Sequence, residues 1–305
     1  MISKLLRLLA LATATLALIA QPARAERIEV VASFSILADL VAQVGGERVR
    51  VHALVGPDQD AHGFQPRPSD ARLVGAADLV VANGLGFDHW IERLARSAGQ
   101  RRPVVVASAG IDALKAAHHH HHGHHHDHGD LDPHAWQDVA NVRQYVRNIA
   151  AALSAADPAG AELYATNAAR YDEELAALDG DIRAALAALP EERRKVVSSH
   201  AAFAYFERAY GIRFLAAHGV ASGAEPSALG IARLIRLIRT EKVPAVFIEN
   251  VSDPRLLERI RAESGARAGG TLYSDALSAA DGPAPHYLTM MRRNLATLLE
   301  GLQAD

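Results

Sequence analysis

The sequence contains no cysteine, so it has no disulfide framework, no thiolate metal ligand and no nucleophilic thiol. A lipid-modified cysteine is excluded on the same ground. Aromatic residues make up only 5% of the 305 positions, which leaves the cores to be built mainly from Ala, Val, Leu and Ile. Neither sign of charge dominates. The 32 Lys and Arg stand against 35 Asp and Glu, a formal −3, and this balance lacks the electrostatic footprint of a nucleic-acid partner. No HExxH helix, nucleophile elbow or phosphate-cradling loop appears. Gly84-Leu85-Gly86 lacks the further glycine spacing of a dinucleotide fingerprint. An enzyme is therefore not expected.

Only one apolar run is long, Leu8 to Ala20, and at roughly 13 residues it falls short of the ~20 that a spanning helix needs. Lys4 and Arg7 precede it and Ala23-Arg24-Ala25 follows it, the pattern of a cleaved secretory signal over residues 1–25. The mature chain then starts at Glu26 with 29 basic against 35 acidic residues, a formal −6. A soluble, exported periplasmic protein, most simply a monomer, is the expectation.

What is present is an alternation of short β-rich runs with helical stretches. The runs are Ile28–Ala32, Val49–Leu54, Leu79–Ala82 and Val104–Ala107, then Lys195–Ser198, Ile212–Ala216, Ala245–Ile248 and Ala268–Tyr273. Near-continuous apolar runs of this length imply parallel strands covered on both faces. The fold class is α/β, with four strands on each side of a long middle segment and hence two parallel-sheet lobes, residues 26–158 and 189–305. The middle segment, 159–188, contains no proline, and Leu163, Ala169, Leu175, Leu178, Ile182 and Leu186 recur along it at roughly helical spacing. Asp157 stands as its N-cap and Pro190 as its stop. One helix spanning both lobes as a strut is expected; two helices broken near Gly180 are the alternative.

One stretch is compositionally unique. Within residues 115–130 stand His118, His119, His120, His121, His122, His124, His125, His126 and His128. Such a tract has nothing with which to build a core, and neutral imidazole is the commonest side-chain ligand of Zn, Cu, Ni and Fe. Weak, multivalent metal binding by a His-rich loop is the direct reading. Four other residues share a different property: His62, His134, His200 and Asp275 each follow the carboxyl end of an expected strand, where open α/β sheets bind their ligands. All four are candidates to line one cleft between the lobes. Their spacing matches no short metal signature.

The local sequences carry more. VGPDQDAHGFQPRPSD (Val55 to Asp70), LDPHAWQD (Leu131 to Asp138), SSHAAFAYFERAYGI (Ser198 to Ile212), AEPSA (Ala224 to Ala228) and TLYSDAL (Thr271 to Leu277) resemble, in order, the motifs of the periplasmic zinc and manganese receptors of ABC transporters, the cluster A-I solute-binding proteins. The resemblance covers the mature chain. It implies two α/β lobes joined by one long rigid helix, and a metal held in the interlobe cleft by His62, His134, His200 and Asp275. It also implies delivery to an ABC transporter membrane permease, with a periplasmic zinc metallochaperone as a candidate donor. Zinc members of the family often carry a His-rich loop where this chain has His118 to His128, and manganese members place a glutamate where it has His200. Three imidazoles and one carboxylate suit Zn(II) as the transported ligand. A receptor of the same family for manganese or another divalent metal, and a periplasmic zinc buffer without a permease, are the alternatives. Some zinc members use an acidic residue just before the first histidine; here Ala61 stands there, with Asp60 one further back, so Asp275 is the expected fourth donor and water the substitute. Trp136 is a candidate shield, and Glu225 and Asp70 are candidates to orient a ligand imidazole. His52, His89, His218 and His286 lie outside the motifs and are read as structural or surface residues.

Overall fold

The computed structural model describes residues 27–116, 130–217, 219–220 and 228–303. Residues 1–25, read above as a signal segment, the tract His118 to His128, His218 and Glu225 lie outside the described residues.

All eight expected strands form. In the first lobe β1 (Ile28–Phe34), β2 (Val49–Val55), β3 (Leu79–Ala82) and β4 (Val105–Val106) make a parallel sheet of order β2-β1-β3-β4. In the second lobe β5 (Lys195–Ser198), β6 (Arg213–Ala216), β7 (Ala245–Glu249) and β8 (Arg267–Leu272) repeat the arrangement as β6-β5-β7-β8. The order reverses between the first and third strands of each sheet, the point at which α/β folds open a crevice outside the carboxyl ends. Helices α1 (Ser35–Gly45), α2 (Pro68–Ala76) and α3 (Trp90–Ser97) belong to the first lobe.

Two helices cross the middle. The first, α4 (Val139–Ala156), starts at Asp138, whose side chain accepts from the Ala140 N–H as a true N-cap. The second, α5 (Ala161–Ala187), follows a short 3-10 turn at Pro158–Gly160 and runs without a break through Gly180. Its 27 residues span about 40 Å at 1.5 Å per residue, and the chain turns before Pro190. Asp157 does not cap it. Its carboxylate is taken by Arg48 through two bonds of 2.7 and 2.9 Å and by the Tyr164 hydroxyl at 2.7 Å, and these partners hold the Asp157 carboxyl below its usual range, the Arg48 bond foremost. The buried stripe also differs from the expected one in its first half. Tyr164 and Tyr171 face inward, whereas Leu163 is half-buried and Ala169 exposed. From Leu175 onward the stripe is as expected: Leu175, Leu178, Ile182 and Leu186 are fully buried.

The second lobe is completed by α6 (Ala204–Tyr210), α7 (Ala228–Thr240), α8 (Pro254–Ser264) and α9 (Tyr287–Gln303). One continuous hydrophobic core runs from the first sheet through α4, α5 and α9 into the second, and a smaller cluster under α7 and α8 covers the outer face of the second sheet. Hydrogen bonds also stitch the lobes: the Tyr287 hydroxyl donates to the Trp136 carbonyl at 2.7 Å, and the Asp58 N–H donates to the Leu277 carbonyl at 2.9 Å.

Candidate metal centre

Two of the candidate donors sit just past a strand end, and two lie in longer connections between a strand and a helix. His62 lies in the connection from β2 to α2, where its N–H donates to Asp60 at 2.8 Å; Asp60 thus holds the backbone of the His62 turn. His134 opens the 3-10 turn Ala135–Gln137 that leads into α4. His200 follows β5 at the reversal of strand order, and Asp275 follows β8. The structure brings one donor atom of each of the four within 4.8 Å of the others. His134, His200 and Asp275 are fully buried, and the His62 side chain is 6% exposed.

The donor atoms converge. Nε2 of His62 lies 3.2 Å from Nε2 of His134. Asp275 Oδ2 lies 3.1 Å from His200 Nε2 and 3.4 Å from His62 Nε2, and its Oδ1 lies 3.6 Å from His134 Nε2. Atoms bound to one zinc at about 2.0–2.1 Å in a tetrahedron stand roughly 3.3 Å from one another, so this spacing fits a shared ion. The two Asp275 oxygens, both His200 ring nitrogens and Glu249 Oε2 are buried in close ion-pair contact without ideal hydrogen-bonding geometry. In the metal-free chain the Asp275 carboxylate faces the His200 ring as its ion-pair partner, and a bound cation would take over that charge.

Two further carboxylates set the imidazoles. Asp132 Oδ1 lies 2.9 Å from Nδ1 of His134 and accepts the His134 N–H at 2.9 Å. Glu249, at the end of β7, places Oε2 2.6 Å from Nδ1 of His200, and its Oε1 accepts the His200 N–H at 3.0 Å. A carboxylate on Nδ1 keeps the proton there and turns the Nε2 lone pair toward the centre. Sequence reading missed both residues. Asp132 was legible as the acid of the DPH triplet, two residues before His134; Glu249 comes from a different strand, and only the adjacency of β5 and β7 reveals it. Asp70 does not take this role: its carboxylate accepts the Arg67 N–H at 2.7 Å and caps α2.

Charge follows from this geometry. Burial opposes protonating the His200 ring, but Glu249 and Asp275 outweigh it and hold its pKa well above the ordinary imidazole value. Burial likewise opposes ionising Asp275, yet His200 and His134 keep its carboxyl well below the usual range.

An aromatic wall closes the first-lobe side. Phe87 stands edge-on to His62 at 4.8 Å and to Trp136 at 4.8 Å, and Trp136 lies 5.3 Å from His134. Gly84-Leu85-Gly86 presents Phe87 to the site in a turn whose three residues all have positive φ, 87, 56 and 83°; a Cβ at Gly84 would also meet Val106 at 2.5 Å. Trp136 donates to the Ser274 carbonyl at 2.8 Å, one residue before Asp275. The remaining described histidines have other surroundings. His52 pairs with Glu29 at 2.9 Å, His286 with Asp39 at 2.9 Å, and His89 is exposed at the start of α3.

Residues 30–301 match the model of the ZnuA family, the periplasmic component A of the zinc-uptake complex. The chain belongs to this family. Among curated relatives, the manganese-binding lipoprotein MntA of Halalkalibacterium halodurans is 35% identical over 277 residues, covering 91% of this chain and 89% of that protein. The iron-binding protein YfeA of Yersinia pestis is 32% identical, covering 91% and 87%. Among solved structures, the periplasmic zinc-binding protein TroA from Treponema pallidum superposes with a TM-score of 0.83 at 28% identity, covering 90% of this chain and 99% of that one. The manganese-bound periplasmic metal-binding protein from Candidatus Liberibacter asiaticus superposes with a TM-score of 0.79 at 27% identity, covering 90% and 100%. The fold is thus the two-lobed α/β fold of these receptors, with a long helix joining the lobes.

Proposed function

We propose that the chain is a periplasmic receptor that captures Zn(II) through His62, His134, His200 and Asp275 and hands it to the membrane permease of an ABC-type importer. The observation that carries this reading is the convergence of three imidazole Nε2 atoms on one buried carboxylate, a borderline-soft donor set that fills four positions. A site filled in this way leaves no position open for an attacking water, so it serves capture and not hydrolysis. Family membership and the zinc-binding relative TroA support the reading. Residues 26–158 and 189–305 are the lobes in this proposal and 159–188 the link. Removal of 1–25 yields a form without a lipid anchor, since the sequence has no cysteine. Among the described residues no helix is long and apolar enough to cross a membrane.

A manganese receptor is the second reading. It is favoured by relatives named for manganese and by Asp275, whose two oxygens both face the centre and would let a harder ion take more oxygen. Competitive titration of the mature chain with Zn(II), Mn(II), Fe(II), Cu(II) and Ni(II) decides between them. Zinc outcompeting manganese by orders of magnitude supports the first reading, and comparable or tighter manganese binding overturns it.

A further inference from the structure

We infer that Tyr205 is a positioning residue that fixes His134 from the opposite lobe, so that the stem flanking residues 117–129, the second lobe and the metal centre move as one unit. The inference rests on the receptor reading above. Tyr205 lies on α6, five residues after His200, and its ring is fully buried. Its hydroxyl accepts the Leu114 N–H at 2.9 Å and donates to the Asp132 carbonyl at 2.9 Å. Those two backbone groups lie on the two arms of the stem, which is closed by the Lys115 and Leu131 bridge and by the bonds Ala116 N–H to Asp130 carbonyl and Asp132 N–H to Leu114 carbonyl. One hydroxyl therefore ties both arms together.

The tie ends at the site. Fixing the Asp132 backbone fixes the carboxylate that holds Nδ1 and the N–H of His134. Arg208 secures Tyr205 in turn, its guanidinium lying 5.2 Å from the ring centre while it pairs with Asp112 at 3.2 Å and reaches Asp138 at 3.9 Å on the first lobe. A single short helix thus follows one donor, His200, and positions a second, His134, across the cleft. A buried hydroxyl that satisfies two backbone groups has no substitute once removed, and residues that orient a metal-binding histidine typically govern affinity by 10–100-fold.

The test is the Tyr205→Phe variant, which keeps the ring, with Zn(II) affinity read by chelator competition beside wild type, Asp132→Asn and the double variant. The expected result is a roughly 10-fold or larger loss in Tyr205→Phe and little further loss when Tyr205→Phe is added to Asp132→Asn, because both act through His134. Wild-type affinity in Tyr205→Phe, or fully additive losses, overturns the inference while leaving the receptor reading intact. Absence of Zn(II) binding by the wild-type chain instead overturns the receptor reading. Amide exchange at Leu114 in the wild-type chain needs no variant: Zn(II) should slow it by at least about tenfold, and exchange indifferent to Zn(II) overturns the coupling.

Discussion

Nε2 of His62 and Nε2 of His134 face each other across 3.2 Å, from loops 72 residues apart in the chain. Two imidazoles cannot hold this pose with both lone pairs, or both protons, pointing at one another. Because Asp132 keeps the His134 proton on Nδ1, the centre must be bridged by a proton or by a metal. Metal capture is then an exchange of protons for an ion.

That exchange is measurable. Glu249 and Asp275 hold His200 protonated in the metal-free chain against the effect of burial, so Zn(II) binding at pH 7 should release about one proton. Calorimetry in two buffers of different ionisation heat reads the number, and identical heats would contradict it. The sign is set by the raised pKa: affinity falls as pH falls, from a higher pH than the ~6.5 of a free imidazole dictates. In the metal-free chain, the stability gained from charging His200 is complete below the unfolded pKa and is lost as pH rises through the folded one. Glu249→Gln should lower both the proton release and, by about 10–100-fold, the affinity.

The continuous core makes α5 a shared element. Leu178→Ala removes a fully buried side chain from its inner face and should cost about 2–5 kcal/mol. Since both lobes lean on the same helix, denaturant unfolding followed by tryptophan fluorescence and by far-ultraviolet circular dichroism should shift as one transition. Two separated transitions would show that the lobes fold independently.

The histidine tract should form a second, weaker class of site. Deleting residues 117–129 is expected to leave one tight Zn(II) per chain and to abolish the additional weak binding, because the four donors of the tight site are already held together between packed elements. Loss of the tight event with retention of the weak ones would reverse the hierarchy.

Much of this was legible in the sequence, for physical reasons. Parallel strands buried on both faces announce themselves as apolar runs, and all eight formed within one or two residues of the expected ends, as β1 and β7 illustrate. The four donors all lie in connections that leave the carboxyl end of a strand, closely for His200 and Asp275 and at longer range for His62 and His134, so they could be grouped without knowing any distance. Helix α4 was equally legible, its buried stripe Val139, Val142, Tyr145, Val146, Ile149 and Leu153 recurring at helical spacing. Asp157 was misread because an acid before a helical stretch looks like a cap, and only the fold brings Arg48, 109 residues away, to claim it. Glu249 and Tyr205 were hidden for the same reason: their partners lie on other strands and on the other lobe.

The most direct measurement is anomalous diffraction at the zinc edge from crystals of the mature chain grown with one equivalent of Zn(II). A single strong peak is predicted within about 2.0–2.2 Å of His62 Nε2, His134 Nε2, His200 Nε2 and an oxygen of Asp275. A tightly bound ion elsewhere in the chain, with these four side chains uncoordinated, would contradict the assignment.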